Sequence, residues 1–401
     1  MKTISILKNT VQEYAWGSYT AIAELLGKNT PSAIPQAELW IGAHSKAPSV
    51  VKYGGKWVSL LDLIKNNPKD ILGKEVAQKF NNTLPYLFKV LAAAKPLSIQ
   101  AHPSKTRAII GFEKENRLGI PLNAPNRNYK DDNHKPECIC ALTPFWALNG
   151  FRRVSEILLL TEKICLHSLA AELDDLRKQP DKQGLKNFFS ALLTMEPERK
   201  KQVIDDALKN AHRFSEDDNL FKWIIKLYNE YKADIGIFSP ILLNLICLKP
   251  GQAMFIPSGA LHSYLDGVGI ELMANSDNVL RGGLTPKHVD VQELLSVLDF
   301  EEREANIITS EKSKDFEMIY PSPAEEFVLS VISDNKGIAY KSPVKRSIEI
   351  ILCTDGKALI TDIDNNIAID LDRGVSVVIP ASVQNYTING KATLYKASVP
   401  L

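Results

Sequence analysis

The chain has 401 residues, more than the ~250 to 300 over which a single hydrophobic core keeps growing, so two or three domains are expected. Its 48 basic residues balance 47 acidic ones to a formal net charge of +1, which gives no global field to attract nucleic acid or an anionic membrane. The opening residues carry only a short apolar stretch between Lys2 and Lys8, below the ~7 to 15 residues of a signal-peptide core. The longest uncharged run, Ile235 to Leu248, falls short of the ~18 residues of a membrane span.

A soluble, cytoplasmic monomer is therefore expected. Cys138, Cys140, Cys165, Cys247 and Cys353 are an odd set scattered through apolar surroundings, which suits reduced thiols rather than a disulfide framework.

In chain order, residues 1–150 mix turn signals with short runs rich in β-branched and aromatic residues, such as Glu38 to Ala43 and Trp57 to Leu60, and read as mostly β. From 151 to 235 glycine becomes scarce and apolar residues recur at helical spacing. The last helix of this block is predicted to be capped by Ser215 with Asp218 and to bury Leu220, Ile224, Leu227, Tyr228 and Tyr231 against the β body. Strand texture returns at 236–309, with a short helix near Val291 to Leu298 capped by Asp290 and Glu293. It continues through 310–401, with turns expected at Asp355-Gly356 and Asn389-Gly390.

A weak repeat sets Gly251 to Pro257 against Gly374 to Pro380, each reading as turn, apolar strand and terminating proline. The fold class is thus mainly β with an inserted α-helical domain. Residues 1–150 and 236–309 form a jelly-roll barrel, 151–235 the helical insertion, and 310–401 a second, degenerate barrel.

The residues able to do chemistry cluster in a few strings. Gly251, Pro257, Gly259, His262 and Asp266 follow the second cupin motif, with Asp266 where that pattern has Asn; the imidazole of His262 is left pointing into the barrel, where it can ligate a metal. In Leu97 to Pro103, strand alternation places Ser98, Gln100 and His102 on one face. In Asn133 to Ala141 a charged head runs into an apolar strand, and Glu137 at the boundary needs a cation. Cys138 and Cys140 flank the reverse face and read as core filler. Gln100, His102, Glu137 and His262 make a mixed N/O donor set that suits Zn²⁺, with Mn²⁺, Fe²⁺ and Co²⁺ also compatible.

The strings Tyr14 to Ser18, Ala37 to His44, Leu87 to Leu91, Ser98 to Pro103, His134 to Glu137 and Asn278 to Asp290 resemble, in the same order, those of type I mannose-6-phosphate isomerases. The resemblance implies a zinc-containing cupin barrel with an inserted helical domain and a second β domain. It implies one Zn²⁺ per chain on Gln100, His102, Glu137 and His262. Arg281 and Lys135 are then active-site cations, with Lys89, His134 and Asp277 at pocket positions.

The implied substrate is a small sugar phosphate, mannose 6-phosphate, exchanged with fructose 6-phosphate by proton transfer between C1 and C2 through an enediolate. His134, Lys135 and Asp277 are all candidates for the base, and Lys89, Lys135 and Ser98 for the phosphate end. Two other readings use the same residues: a different metal-dependent cupin enzyme, such as an oxygenase, and a non-catalytic sugar-binding cupin. In the second repeat Asn385 stands where His262 stands in the first, and 310–401 contain no histidine, so that barrel is expected to hold no metal.

Overall fold

The computed structural model describes residues 1–304, 306–314, 316–333 and 339–401, which form two large antiparallel sheets and a block of helices. The first sheet runs in the order Ile307–Thr309, Gln252–Ile256, Glu137–Ala141, His262–Ala274, Tyr86–Ala93, Glu38–Gly42, Thr10–Gln12. Its organising element is His262–Ala274. The N-terminal part of this strand pairs with Phe145–Phe151 and Ile99–Ala101; from Gly267 onward it pairs with Tyr86–Ala93 and Glu137–Ala141. Gly267 permits the change of partners: its φ is +124°, and a Cβ there would lie 2.6 Å from the Pro144 carbonyl oxygen.

The helical block leaves this sheet from Phe145–Phe151 and returns to it through Leu243–Leu248, two strands that pair with each other. Between them lie Val154–Cys165, Ala170–Lys178, Lys182–Leu193, Pro197–Phe214 and Asn219–Tyr231. The last helix buries Leu220, Ile224 and Leu227 as its periodicity predicts, adds Phe221 and Trp223, and packs Trp223 against Trp146 of the sheet in a tilted pair 5.8 Å between ring centroids. Its cap differs from expectation. Asp218 accepts the Leu220 N–H and is the N-cap, whereas Ser215 closes the preceding helix, because the short Asp side chain reaches the first free donors and the serine three residues earlier does not. Asp290 caps Val291–Val297 as expected.

The second sheet corrects the expected partition of the chain. Its strands Val328–Ser333, Tyr386–Ser398, Glu349–Asp362 and Ser376–Ile379 are continued by Ser5–Lys8, then Val50–Tyr53 and Lys56–Ser59. Residues near the N-terminus thus complete the C-terminal sheet: Ser5 stands opposite Val378, and Leu7 opposite Val51. An apolar strand signal says that a segment pairs but not with which edge, so sequence proximity assigns these strands to the wrong sheet.

The turns expected at Asp355-Gly356 and Asn389-Gly390 lie instead inside long strands that pair with each other, Gly356 opposite Ala392 and Gly390 opposite Ala358, with a bulge between Cys353 and Asp355. The two repeat segments do match locally. Gly251 and Gly374 have φ of +83° and +86°, each opens an apolar strand, and each strand is followed by one of 13 residues, His262–Ala274 or Tyr386–Ser398. Asn385, at the end of the second segment, is exposed and donates to Asp364 rather than facing inward.

No helix among the described residues is long and apolar enough to cross a membrane. Four cysteines are buried, Cys138 and Cys140 in the core behind Glu137, while Cys247 is exposed, contrary to its apolar setting in sequence.

Inside the second sheet the polar centre is an ionic cluster. Lys396, 4% exposed, holds Glu317 at 2.7 Å and Glu349 at 3.1 Å, and the hydroxyls of Tyr340 and Tyr386 donate to the same two carboxylates. Such a cluster contributes little net stability when complete but is costly to break. Lys396→Met, which leaves the buried Glu317 without a cation and Glu349 with only Arg346 at 3.4 Å, is expected to lower unfolding stability by about 3–5 kcal/mol, measured by urea denaturation. A loss below about 1 kcal/mol would place the cluster among exposed ion pairs.

Candidate active site

Strand register brings the predicted residues together. Gln100 stands opposite His262 on one side and Arg281 on the other; Glu137 is opposite Ile256 and Met273; Lys89 is opposite Glu271 and Trp40. Gln100, Arg281, Glu137, Lys89 and Glu271 line one cavity of about 640 Å³ together with Ser98, Lys135, Asp277 and the aromatic pair Tyr14 and Trp16.

Glu137 forms part of its wall, and behind it the ligand atoms of His102, Glu137 and His262 lie within 4.8 Å of one another, all three residues buried. His102 Nδ1 donates to the Asn278 carbonyl at 2.7 Å and His262 Nδ1 to the Ala260 carbonyl at 3.0 Å. A carbonyl only accepts, so each neutral ring keeps a lone pair on Nε2. Those two Nε2 atoms sit 3.3 and 3.5 Å from the two oxygens of Glu137, are buried, and have no hydrogen-bond partner among the described residues. Burial, then the nearby Lys135 ammonium, pushes the His102 imidazole down to about 4, so it is neutral at physiological pH. Two buried lone pairs facing a carboxylate repel unless a cation lies between them, which is the donor set of a divalent metal. Gln100 stands on the strand between His262 and Arg281 and lines the same cavity as Glu137.

Around these ligands the charges are ordered. Lys135 lies 2.9 Å from Glu137. Burial opposes ionisation of Glu137, but the Lys135 ammonium beside it outweighs that cost and holds the carboxyl below its usual range. Lys89 contacts Glu271 at 2.8 Å and Glu38 at 3.4 Å, and Trp40 Nε1 donates to Glu38 at 2.7 Å. Although burial works against its charge, the two carboxylates raise the Lys89 ammonium above its ordinary value. That charge is already neutralised by the protein, so Lys89 fits the expected role of a phosphate cation poorly.

Nearer the mouth, Asp277 contacts Lys46 at 2.8 Å and His44 at 3.5 Å. Burial pushes its carboxyl up, but these two partners reverse the effect and keep it ionised. Arg281 is half-buried and its guanidinium is pushed down by burial, while Lys287 is pushed down by burial and then by Arg281 beside it. Two cations held this close favour an anionic guest.

One candidate is not in this cavity. His134 points into a second cavity of about 930 Å³ and lies 2.5 Å from Glu326 of the C-terminal region. Alternation along the extended segment explains it: Lys135 and Glu137 face the metal-type site, so His134 and Pro136 face away. Sequence reasoning also missed four groups. Glu271 sits alone in the apolar stretch Gly269 to Ala274, and a carboxylate there needs a partner, a signal that could have found it. His44, Trp16 and Lys287 lie within the family-like strings, but nothing in their local pattern marks them as members of the site.

Comparison with known proteins agrees with this geometry. Residues 4–154 match the phosphomannose isomerase type I catalytic domain and residues 162–243 its helical insertion domain. A mannose-6-phosphate isomerase of Escherichia coli is 42% identical over 393 residues, 97% of each chain. The chain belongs to the type I phosphomannose isomerase family.

The Homo sapiens mannose-6-phosphate isomerase is 33% identical over 413 residues, covering 94% of this chain and 93% of the human one. A solved zinc-bound mannose 6-phosphate isomerase superposes with a TM-score of 0.90 at 39% identity, and the Salmonella typhimurium isomerase bound to its substrate and to zinc with 0.91 at 40%; both cover 99% of this chain and all of the other. The family's helical insertion is the block that leaves and re-enters the first sheet.

Because His134 faces the second cavity, His134→Ala is expected to leave turnover near that of the unmodified chain and to cost no more than about 3 kcal/mol of stability, the upper range for one hydrogen bond to a charged group. Steady-state kinetics alongside thermal unfolding check this; a collapse of kcat in a folded variant would return His134 to the catalytic set.

Proposed function

We propose that this protein is an aldose-ketose isomerase that interconverts mannose 6-phosphate and fructose 6-phosphate, with one zinc ion per chain held by Gln100, His102, Glu137 and His262. The observation that carries the reading is the pair of buried, lone-pair-bearing imidazole nitrogens facing Glu137 in the wall of a cavity whose mouth carries Arg281 and Lys287. Relatives similar over nearly the whole chain bear this activity by name.

Bound zinc supplies a Lewis acid that stabilises negative charge on a sugar oxygen. The protein's own groups do the rest. The guanidinium of Arg281 remains protonated and offers a planar pair of donors to the oxygen that becomes anionic as the C2 proton leaves. Lys135 and Asp277 are the members of the expected acid-base set that line the cavity, and the proton moves between C2 and C1 within their reach. Lys287 and Ser98 receive the phosphate, and Lys89 holds Glu271 and Glu38 in place. The four buried free cysteines suit the reducing cytoplasm.

Elemental analysis is expected to find one zinc per chain, and a coupled assay with mannose 6-phosphate to lose turnover on chelation and regain it with added zinc. His262→Ala should lose metal and activity together. Active protein without stoichiometric metal would reject the reading. Arg281→Ala is expected to lower kcat by roughly 10² to 10³ with metal content intact, the usual size for loss of one oriented donor. A rise in KM alone would instead make Arg281 a phosphate contact.

A further inference from the structure

We infer that Asn278, which touches neither the sugar site nor a metal-ligating atom of any ligand, is the positioning residue that fixes His102 for zinc. The inference rests on the zinc reading above. His102 is oriented by the carbonyl of Asn278, 2.7 Å from its Nδ1, whereas His262 is oriented by Ala260, two residues away on its own segment. The tie to His102 therefore crosses between segments distant in sequence, and it holds only as well as the 276–278 segment is held.

That segment has no ladder of its own; it lies between the strands His262–Ala274 and Leu280–Gly283. What holds it is the fully buried Asn278 side chain. Its Oδ1 accepts the Lys130 N–H at 2.6 Å and the Asp131 N–H at 3.2 Å. Its Nδ2 donates to the carbonyls of Asp131 and Asn133, both at 2.8 Å, and to Asp131 Oδ1 at 3.2 Å. With two backbone N–H groups on one side and two carbonyls on the other, only this amide orientation satisfies all partners.

Asp131 closes the clasp in return, accepting from the Ser276 hydroxyl at 2.7 Å and the Asp277 N–H at 2.7 Å. The residues clasped, 130–133, lead directly into Lys135 and Glu137. One amide thus sets the relative position of two ligands, His102 and Glu137, that come from different segments of the chain. Loss of an outer partner that orients a ligating imidazole ordinarily weakens metal binding.

The test uses the full chain and zinc itself, with affinity read by competition against a chromophoric chelator and fold by circular dichroism and thermal midpoint. Asn278→Asp keeps the volume and the Oδ1 acceptor but replaces the donors with a second carboxylate facing Asp131; Asn278→Ala removes the clasp. Both are expected to bind zinc about 10- to 100-fold more weakly than the unmodified chain. The control is Asp364→Asn, which disturbs a similar clasp onto Gln384 and Asn385 far from the cavity and should leave zinc affinity unchanged.

Should both Asn278 variants fail to fold, Asp131→Asn opens the clasp from its other side and is expected to weaken zinc in the same direction. Folded variants that bind zinc within about twofold of the unmodified chain, whatever their thermal midpoint, would overturn the inference. An unmodified chain that binds no zinc would overturn the functional reading instead.

Discussion

Two buried imidazoles, each tied at Nδ1 to a backbone carbonyl and each turning an Nε2 with no partner among the described residues toward the same carboxylate, form an arrangement that requires a cation. Leaving a buried polar atom unsatisfied costs about 1–3 kcal/mol, and here two such atoms face like-signed oxygens at close range. Zinc affinity in small protein sites is worth ~10 kcal/mol or more, ample to offset that cost. The rest of the cavity follows from this centre. Lys135 balances the charge of Glu137, the sheet places Gln100 between His262 and Arg281, and the cations near the mouth complete a surface for an anionic sugar.

The backbone device that makes this possible is a single long strand with two sets of partners. His262 lies on the part of His262–Ala274 that pairs with Ile99–Ala101, and Glu271 on the part that pairs with Tyr86–Ala93. The change at Gly267 lets one continuous strand deliver the carboxylate partner of Lys89 to the cavity and a metal-type ligand to Glu137 in its wall. Both groups sit on hydrogen-bonded strands, which hold a site more rigidly than loops do. The exception is the clasped segment around Asn278, where side-chain hydrogen bonds replace the missing ladder.

Both sheets also carry a buried lysine between two glutamates, Lys89 with Glu271 and Glu38, and Lys396 with Glu317 and Glu349. In the first sheet this trio lines the cavity beside the metal-type centre. In the second it fills the interior, with tyrosine hydroxyls closing the remaining valences. Similar chemistry therefore serves a site in one half of the molecule and a packed polar core in the other, and local geometry around the trio makes the difference.

What the sequence determined by itself was local. Alternation along Leu97 to Pro103 put Gln100 and His102 on a shared face, and along Asn133 to Ala141 it assigned Cys138 and Cys140 to the core behind Glu137. Helical spacing located the inserted block. The family motifs linked these strings to a zinc-type donor set. The same alternation, applied one residue earlier, would have removed His134 from the catalytic candidates, because neighbours in an extended segment face opposite ways. Only the tertiary structure decided which edges pair, because a strand's apolar pattern specifies a face and not a partner; hence Ser5–Lys8 and residues 50–59 joined the C-terminal sheet. It alone neutralised Lys89, brought His44 to Asp277 and set Lys287 beside Arg281, since each of these depends on Coulomb contacts a few ångströms long between residues far apart in the chain.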